Sequence, residues 1–352
     1  MRQRLKRIQD RVTGLFKEWT ARENLWMTGP VLAAAVLVLL VLVKSCQGIA
    51  FFSSDEYKLC RMGYPFKEAQ TIAAALTDKQ IDVLVGLGEM DTLACAIVTQ
   101  PFFIGDNLER YLNCHKSDTT GIQPADIVAV VNVGADNNWQ DLVPCDTTKG
   151  YLMLINRSHY LDSHFRNPNM VTFERDYAFG DRPKADTLVV SAYYQMRQAC
   201  HQQTSAHLMV NSAYRSFKEQ QDTHKQNSKR LAAKAGYSEH QTGMCLDIVS
   251  QEHLMKWEFG ESTEGKWLRD HCHEYGFILR YPQGKERVTG YDYEPWHLRY
   301  VGKEAAQRIH DEGITLDEYY AFYIEREKPS NGNYQKLWRI GRAGRDGHPW
   351  LQ

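Results

Sequence analysis

From Asn24 to Val43 the chain carries no charged residue, and from Val31 to Val43 it is apolar without interruption. A helix needs about 20 apolar residues, at 1.5 Å each, to cross the roughly 30 Å hydrocarbon core of a bilayer. Residues 25–43 reach that length once Leu25, Trp26 and Met27 are counted, with Trp26 placed for the interface and Lys44 closing the run. Arg2, Arg4, Lys6, Arg7, Arg11, Lys17 and Arg22 precede it. Positive charge is retained on the cytoplasmic side, so the run predicts one transmembrane signal anchor over 25–43, a cytoplasmic basic segment over 1–24, and export of everything after Lys44. A cleaved signal peptide needs a small-x-small site after its apolar core. Val43-Lys44-Ser45-Cys46 does not supply one, and Lys44 also argues against lipid attachment at Cys46.

The remainder reads as globular. The 352 residues are 43% hydrophobic and 24% charged, and a mean hydropathy of −0.51 excludes a second set of spans. With 42 basic and 43 acidic residues, no cationic excess points to nucleic acid. The cysteines form no CxxC pair, which excludes a zinc ribbon. An exported chain permits disulfides, but spacing does not fix their pairing.

After a short linker (44–54), residues 55–148 read as a small, mainly helical module. Phe66, Ala69, Ile72, Ala73 and Leu76 recur at helical spacing, Thr77-Asp78-Lys79-Gln80 opens a second helix, and Leu108, Tyr111 and Leu112 mark another. The β-branched run 126–133 predicts a strand, as does 151–156. From about residue 149 strands and helices alternate without βαβ repeats: strands at 207–211, 244–249, 277–281 and 296–301, and helices through 188–200, 215–235, 266–275 and 303–310, with Gly276 as a helix stop. The fold class is α+β, with this second domain over 149–322 and a Gly- and Arg-rich tail over 323–352.

One grouping carries chemistry. His240 precedes a turn at Gly243, and Asp247 follows inside the apolar stretch Leu246–Val249. A carboxylate on a buried strand is costly unless it is paired or binds a metal. Some fifty residues on, Glu294-Pro-Trp-His297 offers a second imidazole and a second carboxylate on an extended segment, since Pro295 disfavours a helix. Two histidines and an aspartate match the three-ligand set of a catalytic zinc site with one position left for water. The competing reading is two surface histidines and an ion-paired aspartate.

Ser238-Glu-His-Gln-Thr-Gly-Met-Cys-Leu-Asp247 resembles the SxHxxGxxxD signature of the VanY-type D-alanyl-D-alanine carboxypeptidases, zinc peptidases of the bacterial cell wall. Glu294-Pro-Trp-His297 is similar to their ExxH signature, and Tyr214-Arg215-Ser216 with Gln220 to their YRSxxxQ segment. Trp267-Leu268, the segment Tyr275–Tyr281 and Thr289-Gly-Tyr agree as well, so that the likeness runs over about residues 152–320. The resemblance implies the hedgehog/D-Ala-D-Ala peptidase fold, an antiparallel sheet with flanking helices. It implies one zinc ion held by His240, Asp247 and His297, Glu294 as general base, and Arg215 facing the carbonyl oxygen where charge develops. Ser216, Gln220 and Ser238 would hold the substrate's C-terminal end. Trp296 is a candidate pocket wall, with core packing as the alternative. The implied substrate is a peptidoglycan stem peptide, cut before a C-terminal D-alanine outside a bacterial cell membrane. The same ligand set also serves L,D-carboxypeptidases that trim tetrapeptide stems. A non-catalytic wall-binding protein with a degenerate site is the rival from another class.

Two departures stand out. Family members commonly carry a small residue such as alanine where this chain has Cys245, two residues before Asp247 and so on the same strand face. The stretch between Gln220 and Gly236 is also shorter than usual for the family.

Overall fold

The computed structural model describes residues 51–140, 142–180, 183–226, 233–250, 253 and 255–325. The expected anchor (25–43), the basic segment before it and nearly all of the tail lie outside the described residues. Among the described residues no helix is long and apolar enough to cross a membrane.

The chain divides into two compact units, one ending at Thr99 and one beginning at Gln100. The first contains helices α1 (Asp55–Arg61), α2 (Phe66–Ala75), α3 (Asp78–Gly86) and α4 (Ala94–Val98). The expected start of α3 is a capping box: the Thr77 hydroxyl accepts from the Gln80 amide, and the Gln80 side chain accepts from the Thr77 amide. Leu59, Ala69, Ile72, Ile81, Leu84 and Ile97 form the interior of this unit.

The second unit starts earlier than the domain edge expected near residue 149. Helices α5 (Leu108–Ser117) and α6 (Pro124–Asn132) belong to it. Phe102 stacks on Phe322 at 4.0 Å, and Arg287 pairs with Asp118 at 2.7 Å. The strand expected over 126–133 is helix α6. Pro124 sits in its first turn, where the missing N–H costs nothing, and Asp126 complements the helix dipole there. Ile127 to Val131 are all buried, and an apolar run without polar interruption has the same appearance in a buried strand as in a buried helix. The strand expected over 151–156 is also absent. A 3-10 turn, Thr147–Leu152, leads into extended chain. The carbonyls of Tyr151, Met153 and Ile155 accept from Arg299 and Arg280 instead of from a neighbouring strand.

Two small separate sheets pair β1 (Val143–Pro144) with β2 (His159–Tyr160), and β3 (Met170–Thr172) with β4 (Lys184–Asp186), before the strands of the principal sheet in the chain. That sheet contains β5 (Leu208–Ser212), β6 (Cys245–Ser250), β7 (Phe277–Leu279) and β8 (His297–Tyr300) in the order β5-β6-β8-β7, antiparallel throughout. The structure therefore has the mixed helix-and-sheet architecture expected. Helices α7 (Thr187–Thr204) and α9 (Thr263–His271) supply Val189, Tyr193, Met196, Trp267 and Leu268 to a core shared with Leu208, Val210, Leu246, Ile248, Phe277 and Leu298. Helix α8 (Phe217–Gln226) follows β5; α10 (Glu286–Thr289) precedes β8, and α11 (Lys303–Glu312) and α12 (Leu316–Tyr319) follow it. The expected stop at Gly276 is a left-handed cap with φ 86°, closing a 3-10 turn after α9.

Side chains alternate across a sheet. With one face committed to that apolar core, the other presents Cys245, Asp247, His297 and Arg299, because the register sets Cys245 opposite Arg299 and Asp247 opposite His297.

Candidate active site

Asp247 and His297 are 50 positions apart in sequence but face each other across β6 and β8, at 3.1 Å between Oδ1 and Nδ1. His240 reaches the same point from a 3-10 turn, Glu239–Thr242, that ends at Gly243 in the left-handed region, φ 71°. A Cβ at Gly243 would lie 2.6 Å from the Met170 sulfur. His240 Nε2 stands 3.4 Å from Asp247 Oδ2, and the two imidazole rings are 5.0 Å apart at 87°. All three residues are buried.

Of the remaining ring nitrogens, that of His240 is hydrogen-bonded and that of His297 faces a carboxylate without a hydrogen bond. His240 Nδ1 donates to the Ala213 carbonyl at 2.5 Å. That oxygen can only accept, so Nδ1 carries a proton and Nε2 is the nitrogen turned to the cluster. His297 Nε2 faces Glu239 Oε2 at 3.5 Å, which leaves Nδ1 for the cluster. Ligating histidines generally use their second nitrogen this way. Asp247 Oδ1 is buried and makes no hydrogen bond. A buried carboxylate set between two imidazole nitrogens, one of its oxygens without a hydrogen bond, is a costly arrangement without a cation, and the donor set fits a divalent metal.

Glu294 lies beside this cluster, its Oε2 3.7 Å from His297 Nδ1. Its backbone N–H donates to the Tyr281 carbonyl, and its carbonyl accepts from the His297 N–H, so a tight turn holds its backbone beside His297. Burial pushes the Glu294 carboxyl up to about 7, with the Asp247 charge adding to it and His297, His240 and Arg215 opposing.

A cavity of about 470 Å³ opens onto these groups. It is lined by Arg215, Gln220, Ser238 and Trp296 as well as His240, Asp247, Glu294 and His297. Arg215 is tied to the site through its backbone N–H, which donates to the His240 carbonyl, and its buried Nε has no partner. Gln220 is buried; its amide nitrogen donates to the Ala233 carbonyl, and its Oε1 is free. Ser216 differs from expectation: it does not line the cavity, and its hydroxyl accepts from the Glu219 amide at the start of α8 while Glu219 accepts from the Ser216 amide. It serves as a helix cap.

The sequence reading missed a buried charge network behind the site. Glu239 Oε1 accepts from Arg280 at 2.8 Å and from Arg299 at 2.7 Å; Arg280 also pairs with Asp317, which accepts from Asn156. Burial alone would raise the Glu239 carboxyl, but Arg299 and Arg280 hold it well below the usual carboxylate range. The reading also missed Tyr281 and Tyr291 as walls of the cavity.

Comparison with known proteins points to one family. The family model for VanY, D-alanyl-D-alanine carboxypeptidase, matches residues 183–303. The chain is 32% identical over 187 residues to the bifunctional D-Ala-D-Ala dipeptidase and D-Ala-D-Ala carboxypeptidase VanXYC of Enterococcus gallinarum, covering 49% of this chain and 95% of that one. The chain belongs to the VanY family. Two more relatives share the match: the putative carboxypeptidase YodJ of Bacillus subtilis, 35% identical over 182 residues (48% of this chain, 66% of that one), and a D-alanyl-D-alanine carboxypeptidase of Enterococcus faecium, 42% identical over 123 residues (35% of this chain, 39% of that one). The alignments span less than two thirds of the length of these last two VanY relatives.

Proposed function

We propose that this protein is a zinc-dependent carboxypeptidase that releases D-alanine from the C-terminus of peptidoglycan stem peptides. Residues 25–43 would hold it as a single-pass anchor, with the catalytic unit outside the membrane. The observation that supports this best is the meeting of His240 and His297 at the buried Asp247 carboxylate, with Glu294 beside them and an open cavity in front.

His240 Nε2, a carboxylate oxygen of Asp247 and His297 Nδ1 would hold the metal. When bound, zinc polarises a carbonyl oxygen and lowers the pKa of a coordinated water to about 7. Glu294 takes a proton from the water that adds to the scissile carbonyl and delivers it to the departing D-alanine nitrogen. Its raised carboxyl suits both halves of that transfer near neutral pH. Arg215 faces the negative charge that develops on the carbonyl oxygen. Gln220 and Ser238, on the cavity wall, meet the terminal carboxylate.

Incubation of the full chain with zinc and synthetic pentapeptide and tetrapeptide stems, with released D-alanine read by mass, tests the reading. Release from the pentapeptide is the expected result. Release from the tetrapeptide alone would assign an L,D-carboxypeptidase, and release from neither would remove the enzymatic reading.

A further inference from the structure

Cys245 is a buried thiol to which the proposed mechanism gives no role. It occupies β6 two residues before Asp247 and opposite Arg299, on the sheet face that carries the cluster. It is fully buried. Its Sγ, one ring nitrogen of His240 and one of His297 all lie within 4.8 Å of one another. Two donors sharing a tetrahedral zinc, one sulfur at about 2.3 Å and one nitrogen at about 2.1 Å, stand about 3.6 Å apart, so a small inward movement brings the three onto a common ion. The independent sign of a ligand is Asp247 Oδ1, buried and without a hydrogen bond, 3.1 Å from His297 Nδ1.

The direction of approach matters as much as the distance. His240, Asp247, His297 and Glu294 line the cavity, whereas Cys245 does not. The sulfur comes from the sheet side, and the cavity side stays open for water and substrate.

Resting on the metal-centre reading above, we propose that Cys245 is a fourth protein donor, making this centre a two-histidine, aspartate and cysteine set rather than the three-donor set that the signature implies. On uptake of a divalent ion the Cys245 S–H gives its proton to solvent, and the sulfur bonds the metal as thiolate. Catalytic zinc expands to five-coordinate states, so four protein donors still leave room for water. Soft thiolate shifts preference toward thiophilic ions. The centre therefore holds zinc more tightly than a three-donor relative does, and favours cadmium over hard cations.

The test uses the full chain, stripped of metal and reloaded with cobalt(II) as a spectroscopic substitute. Wild type should show visible ligand-field bands together with a near-ultraviolet thiolate-to-cobalt charge-transfer band. Cys245→Ala should keep the visible bands and lose the charge-transfer band, and its zinc affinity by competition should fall by roughly tenfold or more. Cys245→Ser provides a second variant of nearly unchanged volume, and the wild-type spectrum needs no variant at all. Visible bands without a charge-transfer band in wild type would overturn the proposal and leave the three-donor metal reading standing. A charge-transfer band that survives in both variants would also overturn it, since another of the described free thiols would then be the donor. Failure of wild type to take up cobalt or zinc would overturn both.

Discussion

Glu239 Oε2 faces His297 Nε2 at 3.5 Å, and its other oxygen is clamped by Arg280 and Arg299. One buried carboxylate thus links the back of a candidate metal ligand to two guanidiniums that are themselves completely enclosed. The contact sets a negative charge behind the His297 ring and connects the buried charge network to the site.

Glu239→Gln should weaken both functions of that carboxylate. Loss of a carboxylate behind a metal-bound histidine typically costs 10–100-fold in metal affinity or activity. Removing one partner of a buried ion pair costs about 3–5 kcal/mol because the other charges remain enclosed. Zinc titration by competition and urea unfolding should both register the change. A variant with wild-type zinc affinity would show that the contact does not orient His297.

Glu294→Gln separates chemistry from binding. It should retain stoichiometric zinc, and turnover should fall by about 10²–10⁴-fold, the usual contribution of a positioned base. His240→Ala should lose both metal and turnover. Metal analysis alongside released D-alanine checks the pair, and hydrolysis at the wild-type rate in Glu294→Gln would sink the assigned role.

The contrast between what the sequence discloses and what it hides is physical. Asp247 stood out because a charge within an apolar strand needs a partner, and His240 and Glu294 because a turn residue, Gly243 or Pro295, accompanies each. The same reasoning applies to Arg280 and Arg299, each inside an apolar strand segment, and it points to buried partners; what spacing could not supply was the partner itself, since Glu239, Asp317 and the carbonyls of Tyr151, Met153 and Ile155 lie up to 148 positions away. Helix α6 was misread for a different reason: a uniformly buried run has no polar face to reveal its period. At Ser216 the motif position gave no sign of the helix-capping bonds that its hydroxyl and amide make.

Gly243→Ala tests the turn that presents His240. A left-handed backbone costs a residue with a Cβ about 1–2 kcal/mol, and the added methyl meets the Met170 sulfur at 2.6 Å. The turn is expected to shift, moving His240 off the Asp247 axis. Zinc affinity should fall along with stability. A variant that loses stability alone would show that the turn can absorb the strain without displacing the imidazole.

Acid unfolding should report on Asp118, far in sequence from the site but within the same unit. The Asp118 carboxylate accepts from the Ile122 and Thr120 amides, the Thr120 hydroxyl and Arg287. The Ile122 amide, helped by Arg287 and Thr120 against the effect of burial, holds this carboxyl well below its usual range. A carboxyl depressed in the folded state stabilises fully above its unfolded pKa, about 3.9, and that contribution disappears as pH falls through the lower folded value. Asp118→Asn should therefore be less stable than wild type by a constant margin from pH 5 to 7, and the margin should shrink steadily below about pH 4. Urea midpoints across pH 3–7 for both chains measure the margin directly. A margin that stays the same down to pH 3 would mean that the ionised carboxylate is not what ties Thr120, Ile122 and Arg287 together.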